Sequence, residues 1–213
     1  MNLSLLILLP LLTALLILLS KQLAQIRVIG LVGSLAQLGA AGWLLKLYMD
    51  QRAAGNTATY LFETNTSWFK ALNINYHIGI DGIALAMILL TSLIVVAGIL
   101  VSWTMEKLSK EYFFLLVLLS MGAYGFFISL DLFTLFFFLE VAVIPKFLLI
   151  GIWGSGKKEN SAMKLALMLM AGSALVFVGL MGIYYNTNTF DMVEIGKMGI
   201  SLGVQKFFFP FLF

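Results

Sequence analysis

A single carboxylate stands in the middle of a long apolar stretch, at Glu140 in DLFTLFFFLEVAVIPKFLLIGIWG, which runs from Asp131 to Gly154. An acidic side chain at the centre of a membrane helix costs about 2.5–3.5 kcal/mol on insertion scales, so such residues usually have a function. Burial favours the neutral form of a carboxyl group, and a carboxyl balanced between its two forms can take up and release a proton. We therefore predict that Glu140 carries protons. The alternative is a structural hydrogen bond that fastens two helices together.

Two further residues of this stretch bear on proton transfer. Pro145 removes the backbone hydrogen bond to the carbonyl of Val141, and the freed carbonyl can hold a water molecule beside Glu140. The alternative for Pro145 is a kink that only shapes the helix. Asp131 lies nine residues before Glu140, about 13 Å along a helix axis. We predict that Asp131 caps the helix. The alternative is a surface point of proton uptake or release.

Four more titratable residues need an interpretation. Lys164 lies at the start of the next apolar span, where it either extends to the membrane interface or biases the protonation of a carboxylate on a neighbouring helix. Lys146 follows Pro145 inside the span and needs a carboxylate partner, a path for water or a neutral state. Asp81 is predicted to cap a helix. His77, the single histidine, lies outside the apolar spans. A lone histidine is a poor metal or haem ligand, so we assign it no role.

The composition identifies the class of protein that positions these residues. Of 213 residues, 62% are hydrophobic and 11% are charged, whereas soluble domains carry roughly 25% charged residues. Several apolar runs exceed the roughly 18–20 residues that cross a membrane. The sequence has no cysteine, which excludes thiolate metal sites and iron–sulfur ligation. A net charge of +3 does not point to nucleic acid. We predict an all-α, polytopic membrane helix bundle.

The apolar runs predict six full transmembrane helices and the start of a seventh. A polar segment from Met49 to Gly79, with alternating aromatic residues, predicts a small hairpin outside the membrane. The final run, Phe207 to Phe213, would reach only about 10 Å as a helix. We therefore expect the chain to be the N-terminal part of a longer protein, the alternative being a short interfacial anchor. The six full spans are Leu3–Leu19, Ile26–Tyr48, Ile80–Trp103, Tyr112–Ser129, Leu132–Trp153 and Ala162–Tyr185.

Basic residues predict the orientation of the bundle. The short loops after the first, third and fifth spans hold more lysine and arginine than the loops on the other side. Positive loops stay in the cytoplasm, so the N-terminus is predicted to lie outside. The residues concerned are Lys21, Arg27, Lys107, Lys110, Lys157, Lys158 and Lys164.

Three stretches resemble the antiporter-like subunits of respiratory complex I, in particular subunit M, the chain 4 type. They are GIDGIALAMILLTSLI, DLFTLFFFLEVAVIPKFLLIGIWG and SAMKLALMLMAGSALVFVGLMGIYY, in the order and spacing of that family. The same core occurs in subunits of sodium/proton antiporters and of membrane-bound hydrogenases. The resemblance implies a division at about residue 110. Residues 1–110 would hold helices 1–3, and residues 111–213 would begin the proton-translocating antiporter-like domain.

The resemblance also implies roles for single residues. In the family, the glutamate of span five is the key carboxylate of a proton channel and works with a lysine of span seven. Glu140 matches that glutamate, and Asp131 matches the acidic residue at the start of the helix. Lys164 falls in the matching segment of span six, which makes it a candidate charge modulator. Family members have about fourteen spans, and this chain stops before the lysine of span seven. Lys146 departs from the family, because the position after the proline is usually apolar.

The function implied by the resemblance is that of a proton-translocating subunit of NADH:quinone oxidoreductase. The chain itself would carry no redox centre, and FMN, iron–sulfur clusters, NADH and quinone would belong to partner subunits. Its partners would be the other membrane subunits of complex I and the lipid bilayer, in the bacterial inner (cytoplasmic) membrane. The alternatives are a subunit of a cation/proton antiporter or membrane-bound hydrogenase, and a purely structural scaffold.

Overall fold

Apolar runs of leucine, isoleucine and phenylalanine form helices here because a membrane-spanning backbone must satisfy its own hydrogen bonds. The computed structural model describes residues 2–212. A polar segment between the second and third helices forms a two-stranded antiparallel sheet. The elements are α1 (Leu5–Leu19), α2 (Leu23–Ala53), β1 (Leu61–Phe69), a 3-10 turn (Lys70–Leu72), β2 (Ile74–Ile80), α3 (Gly82–Val101), α4 (Ser109–Ile128), α5 (Leu132–Trp153), α6 (Lys158–Thr187), α7 (Met192–Met198) and α8 (Leu202–Leu212).

Five of these helices, α2 to α6, are long and apolar enough to cross a membrane. The predicted all-α membrane bundle is therefore confirmed in its class, but six full spans and the start of a seventh are not. Helix α1 has 15 residues, which rise only about 22 Å, whereas the hydrocarbon core of a bilayer is about 30 Å thick. Helix α8 begins at Leu202, five residues before the predicted start of the last run.

The hairpin expected between residues 49 and 79 is formed by β1 and β2. The chain reverses at Asn73, whose φ of 50° lies in the left-handed region, a conformation that asparagine tolerates well. The backbone N–H of Leu130 donates to the carbonyl of His77 at 2.8 Å. The hydroxyl groups of Tyr76 and Ser4 are hydrogen bonded at 3.2 Å. The hairpin thus covers the face of the bundle where α1 begins and α4 ends.

Helices α4 and α5 form an antiparallel pair joined by the three residues Ser129 to Asp131. Their close approach depends on glycine. A Cβ atom at Gly122 would lie 2.9 Å from the Cβ of Ala142, and small residues at helix interfaces allow this spacing in membranes. This pairing places the first half of α5, including Glu140, against the rest of the bundle.

The face opposite the hairpin holds the basic connections. Arg27 donates from its guanidinium to the carbonyl of Met105 at 3.1 Å. The indole N–H of Trp153 donates to the carbonyl of Lys107 at 2.7 Å. The two ends of the bundle therefore differ in chemistry, with basic loops at one end and the hairpin with its acidic helix caps at the other.

Candidate functional site

Glu140 lies halfway along α5 and is half-buried. Its Oε1 atom is fully buried and has no hydrogen-bond partner among residues 2–212. Leaving a buried acceptor unsatisfied costs about 1–3 kcal/mol, and more for a charged group. The carboxyl group can meet this cost by binding a proton, by holding water or by pairing with a group outside the described chain.

The register of α5 against α6 sets the height of Glu140 in the bundle. The rings of Phe136 and Phe177 contact each other with centroids 5.5 Å apart. Further along, a Cβ at Gly151 would lie 3.5 Å from the Cβ of Ala162. The two helices are antiparallel, so one step forward on α5 corresponds to one step back on α6.

This register separates Glu140 from Lys164. Glu140 is level with Ser173, and Lys164 lies nine residues from Ser173 along α6, roughly 13 Å at helical rise. The Lys164 side chain is exposed. The structure therefore does not bring these two predicted site residues together, and a direct contact between them within this part of the chain is ruled out by their heights.

Lys146 lies one turn and a half beyond Glu140 and is half-buried. It lines a largely apolar cavity of about 400 Å³ between α3, α4 and α5, where its neighbours include Ser120 and Ala142. Within residues 2–212 it has no carboxylate within 4.0 Å, since both ion pairs found there involve His77. Pro145, just before it, lies inside α5 and is buried.

Asp131 caps α5 and is fully buried. Its Oδ1 accepts hydrogen bonds from the backbone N–H groups of Phe133 and Thr134, each at 3.0 Å. Its Oδ2 accepts from the N–H of Asn75 in β2 at 3.2 Å. Burial raises the pKa of Asp131 above its ordinary value, the three backbone hydrogen bonds oppose that rise, and the charge of Asp191 adds to it. The predicted cap is present, and its carboxyl group favours the protonated form more than an exposed aspartate does.

His77 and Asp191, to which the sequence assigned no role, lie beside this cap. The Nδ1 atom of His77 and the Oδ2 atom of Asp191 are 2.7 Å apart, and both side chains are buried. Asp191 caps α7 through the N–H of Val193 at 2.8 Å. The sequence D-x-x-E at Asp191 to Glu194 is a recognisable helix start, but no local signal links Asp191 to a histidine 114 residues away.

No group of three or more His, Asp or Glu side chains within residues 2–212 is close enough to hold a metal ion.

Comparison with known proteins places this chain among membrane subunits of the kind that its sequence resembles. Residues 129–213 match the family model described as NADH:quinone oxidoreductase/Mrp antiporter, TM. Over 199 residues the chain is 31% identical to F(420)H(2) dehydrogenase subunit M of Methanosarcina mazei, covering 90% of this chain and 39% of that protein. Over 152 residues it is 37% identical to NADH-ubiquinone oxidoreductase chain 4 of Chondrus crispus, covering 70% of this chain and 31% of that protein. The chain thus spans less than half the length of these curated relatives.

Two solved structures share the fold. Respiratory complex I from Thermus thermophilus with bound NADH contains a chain that superposes with a TM-score of 0.80 at 20% identity, over 99% of this chain and 42% of that one. The archaeal membrane-bound sulfane sulfur reductase also gives a TM-score of 0.80, at 24% identity, over 99% and 43%. At these identities the likeness concerns the fold alone, and it extends over nearly every residue of this chain.

Proposed function

Because the chain belongs to the NADH:quinone oxidoreductase/Mrp antiporter family of membrane subunits, we propose that it is part of a proton-translocating subunit of an NADH:quinone oxidoreductase. The observation that carries the proposal is Glu140, whose buried Oε1 has no hydrogen-bond partner within residues 2–212. The redox groups belong to partner subunits, and this subunit moves protons in response. It lies in the bacterial cytoplasmic membrane beside other membrane subunits of complex I.

The proposed mechanism is a change in the proton affinity of Glu140. Moving one charge outward against 100 mV costs about 2.3 kcal/mol. The proton affinity of the carboxyl group must therefore change by at least this amount between loading and release. A cation that approaches the carboxylate and then retreats can produce such a change, since opposite charges within about 4–6 Å favour the charged form. Both ion pairs within residues 2–212 involve His77, so in this proposal the cation comes from outside these residues.

The other candidate residues take supporting roles in this proposal. Asp131 is the point where protons leave at the hairpin end, and the N-terminus and the hairpin lie outside the cytoplasm. Lys164 is exposed on α6 and acts from the cytoplasmic half as a charge modulator without contacting Glu140. Residues 1–110 support the bundle, and residues 111–213 begin the translocating domain.

The test is Glu140→Gln in the intact native complex, reconstituted in vesicles. Glutamine keeps the size and hydrogen-bonding ability of the side chain but cannot carry a proton. We expect NADH-driven proton pumping to be lost or strongly reduced while the complex assembles. Glu159→Gln, at an exposed position in the first turn of α6, is the matched control and should pump normally. Full pumping by the assembled Glu140→Gln complex would refute the proposal.

A second candidate is a subunit of a cation/proton antiporter, because the matching family model covers both kinds of complex. An antiporter is driven by ion gradients and needs no electron transfer. It would confer salt resistance on cells and would be unaffected by inhibitors of the quinone site. A complex I subunit would not confer salt resistance, and its proton pumping would stop when the quinone site is inhibited.

A further inference from the structure

The end of the bundle that carries the hairpin contains a buried pair of titratable side chains, His77 on β2 and Asp191 before α7. Their side chains are 6% and 3% exposed, and Nδ1 of the ring lies 2.7 Å from Oδ2 of the carboxylate. A buried charge is costly unless it is paired. A histidine changes its charge between pH 5 and 8 more readily than any other side chain. This pair can therefore hold one exchangeable proton in a protected position.

The pair is attached to the start of α5. Residues Asp131 and Asp191 face each other as an antiparallel bridge. The N–H of Met192 donates to the carbonyl of Leu130 at 3.0 Å, and the N–H of Leu132 donates to the carbonyl of Phe190 at 2.9 Å. The caps of α5 and α7 are thus fixed side by side, and the charge of Asp191 acts on the carboxyl group of Asp131.

The other side of the ring faces solvent through Glu63. The Nε2 atom of His77 lies 3.9 Å from Oε2 of Glu63, whose side chain is 46% exposed. The two nitrogens of the imidazole therefore face two different carboxylates, one buried and one exposed. An imidazole can accept a proton at one nitrogen while it releases another from the second.

A cavity lies beside the first two turns of α5, and its lining includes neither Asp131 nor Glu140. It has a volume of about 270 Å³ and lies between the hairpin and the first turns of α5. Each water molecule occupies about 30 Å³ of liquid and needs two to four polar partners. The wall is mostly apolar, and four of its six residues carry a hydroxyl group that can supply such a partner. The lining residues are Thr66, Ser67, Trp68, Tyr76, Thr134 and Phe138.

We infer that His77 and Asp191 form the outer proton-binding pair of this subunit, between the cap of α5 and the exposed Glu63. This inference rests on the proposed function of Glu140. The pair takes up one proton, which converts the neutral ring of His77 to the imidazolium form beside the Asp191 carboxylate. It releases that one proton from Nε2 towards Glu63 and the solvent, and the ring returns to its starting tautomer.

The charges around the ring come from each element packed against it. They are Glu63 on β1, Asp131 at the start of α5, Asp191 itself, and Glu194 on α7, whose Oε2 accepts from the hydroxyl of Thr189 at 2.9 Å. All four are acidic side chains.

The competing role is mechanical, since the pair also fastens the hairpin to the connection between α6 and α7. The chain offers a matched control for this. The side-chain amide of Asn73 donates to the carbonyl of Asn188 at 3.2 Å, so it fastens the same two segments without a titratable group. Asn73→Gly removes this bond and suits the left-handed backbone there, because glycine adopts positive φ freely.

The experiment measures the rate of proton pumping by the intact complex in vesicles while the pH on the hairpin side is varied from 5 to 8. The wild-type rate is expected to fall as that pH decreases, because solvent then removes the proton less readily. His77→Gln should lower the rate and abolish this inflection, whereas Asn73→Gly should keep it. An unchanged inflection in His77→Gln overturns the inference.

A second variant covers the case in which His77→Gln does not assemble. Glu63→Gln lies at an exposed side chain and removes one negative charge next to Nε2. It should move the inflection, because the proton on Nε2 loses the carboxylate that faces it. An inflection that does not move overturns the inference. The proposed function is tested separately by Glu140→Gln, and full pumping by that variant would refute it. If Glu140→Gln is inactive while the pH profiles of His77→Gln and Glu63→Gln match the wild type, only the inference about the pair is refuted.

Discussion

Phe138 of α5 packs its ring directly over Gly125 of α4, and a Cβ atom at Gly125 would overlap that ring. Gly125→Ala should therefore push α5 away from α4. Overpacking of this kind typically costs about 1–3 kcal/mol. We expect a lower thermal midpoint of the purified complex. Gly172→Ala is the control, because a Cβ there has no neighbour within 4 Å, and an equal loss in both variants would contradict the packing argument.

Asp131 should influence stability in two separable ways. Asp131→Ala removes the acceptor that caps α5, which typically costs about 1 kcal/mol. Asp131→Asn keeps an oxygen for the N–H groups of Phe133 and Thr134 but removes the charge. The alanine variant should therefore melt at a lower temperature than the asparagine variant at any pH.

The pH dependence of Asp131 follows from its raised pKa. Above the ordinary value of 3.8, the unfolded chain releases a proton that the folded protein still holds. The folded state then binds more protons than the unfolded state, so its stability falls as pH rises from about 3.8 through the raised pKa. Asp131→Asn should flatten this decline in the thermal midpoint. A decline identical to that of the wild type would show that another group causes it.

Much of this fold could be predicted from sequence because its signals are local. The caps at Asp81 and Asp131 precede apolar runs, and Asp81 indeed accepts from the N–H of Ala84 at 2.7 Å. The alternating segment between the second and third helices indicated a hairpin. Helix α1 ends at the predicted Leu19 and begins at Leu5, two residues after the predicted start.

The candidate site was predicted only in part, because its contacts join distant parts of the chain. The pairing of His77 with Asp191 spans 114 residues and depends on the hairpin folding over the end of α5. The height of Lys164 depends on the register between α5 and α6, which the contact of Phe136 with Phe177 sets. Sequence spacing within one helix carries no information about either relationship.

Lys146 is expected to be dispensable for proton transfer. It lines the apolar cavity between α3, α4 and α5 and has no carboxylate within 4.0 Å among residues 2–212. Lys146→Met keeps the length and apolar stem of the side chain but removes the charge. Pumping and its dependence on pH should match the wild type, measured beside Glu140→Gln in the same vesicles. A reduced rate with a shifted pH profile would instead place Lys146 on the proton path.

Gln37 on α2 gives a test of buried polarity in the first part of the bundle. It is 1% exposed, and neither its Oε1 nor its Nε2 has a hydrogen-bond partner within residues 2–212. An unsatisfied buried group costs about 1–3 kcal/mol, and methionine fills a similar volume without polar atoms. Gln37→Met should therefore raise the thermal midpoint of the complex, whereas Gln25→Met, at an exposed position of the same helix, should leave it nearly unchanged. A lower midpoint for Gln37→Met would mean that the amide is satisfied by bound water, since such waters are costly to remove.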